Sequence, residues 1–198
     1  DMNDVVIYYE SKVYKNDKNQ IIATEDLILP YWDGAGYDKF NGFGYQLSVT
    51  PDKVNSVQIT SENYEFTSSP LFQFDSKERV DNDNAIIILA DDMKKATKQH
   101  SKFIVKTTFA SPQSESTFLL PPYNPFIIID AHEERGKELH LPNYAPTKRM
   151  DTSYFGTKND ISDPTQQMYY IGKENMPYAI NIPNIKNFDY WGYLWHMA

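Results

Sequence analysis

Apolar positions in this chain recur with a period of two or in short unbroken runs, and the helical period near 3.6 is rare. Val5-Val6-Ile7-Tyr8-Tyr9 is a β-branched and aromatic run of the kind that forms strands. Gln20 to Leu29 holds a second run, interrupted by Glu25-Asp26. Phe43-Gly44-Tyr45-Gln46-Leu47-Ser48-Val49 alternates as a half-buried strand does. Val54, Val57 and Ile59 continue on a segment entered through a turn at Thr50-Pro51-Asp52. The continuous run Ala85 to Ala90 predicts a strand buried on both faces, and Phe103 to Phe109 and Phe126 to Ile129 complete the set. Strands separated by turns rather than helices predict an all-β fold, an antiparallel β-sandwich of jelly-roll-like form.

One short helix is expected near 91–99. Asp91 or Asp92 can accept the free N–H groups of its first turn, and Lys94, Lys95 and Lys98 lie toward the negative end of its dipole. From about Leu120 prolines punctuate the chain, among them Pro121, Pro122, Pro142, Pro164 and Pro183, so long strand ladders are not expected there. The same stretch keeps Tyr144, Phe155, Tyr169, Tyr170 and Ile180, which disordered tails lack. It is expected to be an ordered, irregular wrap on the sandwich, within a single domain over 1–198. The start at Asp1, with no Met or leader pattern, reads as a processed or trimmed fragment and says nothing direct about export.

Composition narrows the function classes. The 198 residues carry 19 Lys and Arg against 27 Asp and Glu, a net charge of −8, which argues against a duplex nucleic-acid binder. Cysteine is absent, excluding disulfides, thiolate zinc sites and a Cys nucleophile. A mean hydropathy of −0.60 and the lack of a long apolar run give no transmembrane segment. Aromatic residues are abundant, with 15 Tyr, 11 Phe and 3 Trp.

No catalytic motif stands out. The stretch His132-Glu133-Glu134-Arg135-Gly136 begins like a zincin helix, but position 136 is Gly where a second His is required. His132 and His140 flank Gly136 on the arms of an expected hairpin, where solvated turn residues are the commoner use of such histidines and a shared metal the rarer. Nucleophile elbows and phosphate-binding glycine loops are missing. Carboxylates are plentiful, but the spacing that would mark a hydrolase pair is spatial.

Two oxygen-rich stretches suit hard cations, which need several converging oxygens. Asp1, Asn3 and Asp4 precede the first strand and form a candidate calcium site; Asp81-Asn82-Asp83-Asn84 lacks the residues of an EF-hand loop. Solvated Asx turns are the alternative for both. Aromatics beside turn residues give a second candidate: Trp32 with Asp33, and Trp191 and Trp195 near the end, could stack sugar rings, unless they pack into the core as most tryptophans do.

Five collinear segments resemble one family. Asp1-Met2-Asn3-Asp4-Val5-Val6 is similar to the end of the aspartate-rich opening of LruC-domain proteins. Gly34-Ala35-Gly36-Tyr37 with Asn41-Gly42-Phe43-Gly44-Tyr45-Gln46-Leu47 resembles their glycine-rich signature. Pro122-Tyr123-Asn124-Pro125-Phe126-Ile127, Arg135-Gly136-Lys137-Glu138-Leu139-His140-Leu141-Pro142, and Phe155-Gly156-Thr157 with Asn175-Met176-Pro177-Tyr178-Ala179-Ile180 match in the same order. The resemblance implies a domain of unknown function in bacterial secreted or outer-surface proteins, often lipoproteins, with no established catalytic residues. The resulting expectation is a non-enzymatic surface or secreted module for adhesion or glycan binding, stabilised by calcium, whose partners are glycans or extracellular proteins. The alternatives are a carboxylate-based glycan hydrolase and a purely structural end-domain.

Overall fold

The computed structural model describes residues 4–34, 40–65 and 83–183. Asp1, Asn3, Trp191 and Trp195 therefore lie outside the described residues. Eight strands form two antiparallel sheets, giving the all-β sandwich expected from the alternation. The first sheet contains β1 (Val5–Lys15), β2 (Ile21–Asp33), β6 (Lys102–Gln113) and β4 (Val54–Glu62), in that order. The second contains β5 (Ile86–Ala90), β3 (Gly42–Gln46), β7 (Asn124–Ile128) and β8 (Glu138–His140).

The Glu25-Asp26 interruption does not occur. β2 runs through it as a continuous strand paired on both sides, with Asp26 opposite Ser11 of β1 and Val105 of β6. Ladder hydrogen bonds are made by the backbone, so a charged pair does not end a strand that has two partners. Alternation then decides direction: Thr24, Asp26, Ile28 and Pro30 all turn inward and are buried.

The second sheet is covered on both faces, which is why β5 is an unbroken apolar run. Its inner side supplies Phe43, Tyr45, Ile87 and Leu89 to the main core, where they meet Ile28, Phe103 and Val105 of the first sheet. Its outer side carries a separate cluster of Ile86, Ile88, Phe126 and Ile128. Gly44 has a steric role here, because a Cβ would come within 2.6 Å of the Ile87 carbonyl. The short helix α1 (Met93–Lys98) is capped by Asp92, whose side chain accepts from the Lys95 N–H at 2.9 Å. Met93 and Ala96 anchor it to the core.

Up to residue 183, the proline-rich last third is ordered and irregular, as expected, and packs over the outer face of the second sheet. β8 was hidden in the sequence because it is three residues long and reads Glu-Leu-His. Its pairing with β7 sets Phe126 opposite His140 and Ile128 opposite Glu138. Here one expectation is overturned. His140 does lie on a hairpin arm, but it is completely buried rather than solvated. Its ring is stacked between Phe126 at 4.6 Å and Tyr170 of the wrap at 5.0 Å.

Candidate binding cleft

The inward parity of β2 leaves a carboxylate between the sheets. Asp26 is 1 % exposed. The Tyr123 hydroxyl donates to it at 3.0 Å (Oδ1) and 3.1 Å (Oδ2), and the Tyr45 hydroxyl reaches Oδ2 at 3.3 Å. Ser11, directly across the β1–β2 ladder, and Thr24, on the same face of β2, supply further hydroxyl bonds. Burial raises the Asp26 carboxyl above the usual range, and the hydroxyl bonds only partly oppose it. The two tyrosine rings are stacked with centroids 5.2 Å apart, and burial pushes both phenols up, with the Asp26 charge adding to the effect.

These groups form the floor of a cleft of about 340 Å³ between β1 on one side and β7 and β8 on the other. Its walls are apolar: Val5, Ile7, Ile28, Ile127, Leu139 and Leu141 all face it. The wrap segment 178–181 lines its rim, tied to β1 where the Tyr9 hydroxyl donates to Asn181 Oδ1 at 3.2 Å. Asp4 also lines the cleft, so among the described residues its lining has two acidic residues and no lysine or arginine.

A second buried polar group lies behind β8. The Glu138 carboxylate receives the Arg135 guanidinium and the Thr147 hydroxyl on Oε1. Its Oε2 receives the Thr147 N–H at 2.9 Å and His140 Nε2 at 3.0 Å. His140 Nδ1 meets Asn124 Oδ1 at 2.6 Å, and Asn124 in turn donates to Gln46 Oε1 and to the Ala145 carbonyl. Burial alone would raise the Glu138 carboxyl, but His140, Arg135 and Thr147 outweigh it and hold it at about 2. Burial depresses the His140 imidazole, with the Glu138 carboxylate opposing it. With every buried atom of Glu138 and His140 committed, this network fastens the wrap to the sheet.

At one end of the sandwich, Tyr64, Asp91 and His132 meet. The Tyr64 hydroxyl bonds Asp91 Oδ1 and accepts from the backbone N–H groups of Asp91 and Asp92, while His132 Nε2 lies 3.4 Å from Asp91 Oδ2. Asp92 alone therefore caps α1, and Asp91 anchors β5 to Tyr64.

The residues singled out in the sequence are dispersed. Asp4 immediately precedes β1, and its carbonyl accepts from the Gly34 N–H at 2.9 Å. Asp33 ends β2 and accepts from Asn41 Nδ2 at 3.2 Å. Trp32 is half-buried, with its indole held against Gly34 so closely that a Cβ there would lie 2.2 Å from Nε1. Asp83 is ion-paired with Lys148 at 2.7 Å on the surface. Among the described residues, no group of three or more His, Asp or Glu side chains is arranged to hold a metal ion, and no helix is long and apolar enough to cross a membrane. Asp26 was missed although it carried a signal, an acid in the same parity as Ile28 on a strand. Glu138 carried none.

Comparison with known families gives one match. The family described as Domain of unknown function (DUF4842) covers residues 19–191, from the turn before β2 through the cleft and the wrap. The chain belongs to that family. Within this DUF4842 domain the match takes in Asp26, Tyr45, Tyr123 and the Glu138–His140 network, while the β1 wall of the cleft precedes it. No curated protein and no solved structure matches the chain.

Proposed function

We propose that this chain is a non-catalytic binding module of a secreted or surface-displayed bacterial protein, and that the cleft between β1 and β7–β8 holds its ligand. The supporting observation is the cleft itself. Protein interiors are close-packed, so an apolar volume of about 340 Å³ between two sheets is out of the ordinary, and it falls at the small end of ligand pockets, about 300–1,000 Å³. Placement on an exported protein is supported by the LruC-like segments.

Binding is favoured over glycan hydrolysis by the state of Asp26. A general acid must present its proton to the bond being cleaved. Both Asp26 oxygens instead accept from tyrosine hydroxyls of the protein. Sugar stacking on Trp32 beside Asp33, and a calcium ion held through Asp1, Asn3 and Asp4, are narrower proposals that lie outside the cleft floor and are tested separately.

A neutral dye that fluoresces in apolar surroundings, N-phenyl-1-naphthylamine, tests the cleft. The folded chain is expected to enhance its emission saturably. Ala179→Trp, which fills the rim, is expected to abolish that signal while leaving the thermal melt intact. A dye that never binds, or one that binds the variant equally well, would overturn the proposal.

A further inference from the structure

The polar groups of the cleft define a ligand class. Asp26 is buried and bonded only to neutral hydroxyls, those of Ser11, Thr24, Tyr45 and Tyr123. A buried carboxylate is ordinarily matched by a cation, because hydroxyl dipoles do not cancel a unit charge. Among the described residues, the cleft lining contains no lysine or arginine. His140, at its edge, has both ring nitrogens turned to protein acceptors, Asn124 Oδ1 and Glu138 Oε2, so any charge it carries is matched by Glu138. Asp4 adds a second carboxylate to the same lining. Charge is thus one-sided in a cleft whose remaining walls are apolar and aromatic. Aromatic faces are themselves attractive to cations, and Phe43, Tyr45 and Tyr123 supply them around Asp26.

We propose that the cleft selects a ligand with a cationic head, an alkylammonium or a guanidinium, on an apolar body, with Asp26 as the counter-charge and the aliphatic walls taking the body. This rests on the cleft being a binding site. The head supplies the charge that the protein withholds, and a bound cation stabilises Asp26 in its ionised form. An anionic head would meet two carboxylates and no cation. A neutral ligand of the same shape gains the apolar contacts only.

The test uses three probes of equal chain length on the full chain at neutral pH: n-octylamine, 1-octanol and octanoate, each titrated calorimetrically and by displacement of the dye. Close charge pairs in desolvated sites contribute enough to separate the first two by roughly ten-fold or more. The expected order is octylammonium tightest, octanol weaker, octanoate weakest. Asp26→Asn is expected to remove the difference between octylammonium and octanol. If octylammonium binds no better than octanol, the cationic class is refuted while the cleft stands as an apolar site. If none of the three binds and the dye is silent, the binding site itself is refuted. Should Asp26→Asn not fold, the comparison of the three probes on the unaltered chain decides the matter alone.

Discussion

Replacing Glu138 by alanine removes the acceptor on which Arg135, His140 and both the hydroxyl and N–H of Thr147 converge. Arg135 is 7 % exposed and Thr147 3 % exposed, so neither gains water readily in exchange. Breaking a buried ion pair by deleting one partner costs about 3–5 kcal/mol, because the other charge stays buried. Leaving the Thr147 N–H without its acceptor adds about 1–3 kcal/mol. The groups share one network, so the contributions overlap, and the expected loss is about 4–6 kcal/mol. That is a large part of the roughly 5–15 kcal/mol available to an ordinary domain. Urea unfolding at neutral pH measures it directly, and a thermal melt is expected to fall by about 10–20 °C. Arg135→Met combined with Glu138→Met is expected to recover part of the loss, since an apolar pair of similar size leaves no uncompensated charge. A Glu138→Ala chain within about 1 kcal/mol of the unaltered one would refute the assignment of this network as the fastening of the wrap.

The same network sets the acid side of the stability profile: Glu138 is held at about 2 against an ordinary 4.5, so its contribution is complete above 4.5 and is lost as pH falls through about 2; the Glu138→Ala chain is expected to lack that loss in acid urea titrations. Asp26 has the opposite sign. Its carboxyl is raised from an ordinary 3.8, so it stabilises the fold most below 3.8 and loses that contribution as pH rises through the folded value; the difference in urea midpoint between the unaltered chain and Asp26→Asn is expected to shift accordingly, and a pH-independent difference would refute the raised carboxyl. Calcium held through Asp1, Asn3 and Asp4 is expected to raise the melting temperature by a few degrees, since a ligand at ten times its Kd stabilises by about 1.4 kcal/mol; no shift at millimolar calcium, or an equal shift in Asp4→Asn, would end that proposal. Glycan recognition through Trp32 and Asp33 is expected to give discrete hits on a glycan array that Trp32→Ala loses, and a flat array would exclude it.

The strands were legible wherever burial imposed a pattern. Phe103 to Phe109 alternates because one face meets the core, and Ile86 to Ala90 does not because both faces are covered; Phe43 to Gln46 alternates in sequence yet is buried throughout, in the same doubly covered sheet. Glu25-Asp26 misled because a charged pair was weighed as a strand break, when the pairing of β2 with β1 and β6 satisfies the backbone regardless of side chains. His140 could be placed on a hairpin arm from its spacing to Gly136. Its burial could not, because the covering residues, Thr147 and Tyr170, come from an irregular segment with no period to read. The cleft is a gap between β1 and β7–β8, a distance between elements far apart in the chain, and no local pattern encodes it.

On the proposed reading, the two buried acids divide the molecule between architecture and recognition. Glu138 has a guanidinium, an imidazole, a hydroxyl and a backbone N–H, and these hold it ionised in a close-packed site beneath the wrap. Nothing remains there for a ligand to satisfy. Asp26 is buried to a similar degree but is given only hydroxyls, and burial prevails over them. An apolar residue at position 26 would avoid that burial cost, and its neighbours Ile28 and Val105 show that the surrounding core accepts one. The carboxylate that has no cationic partner among the described residues is also the one that borders the cleft. A core built for stability alone has no use for that combination, whereas a site that takes its counter-charge from a ligand requires both parts of it.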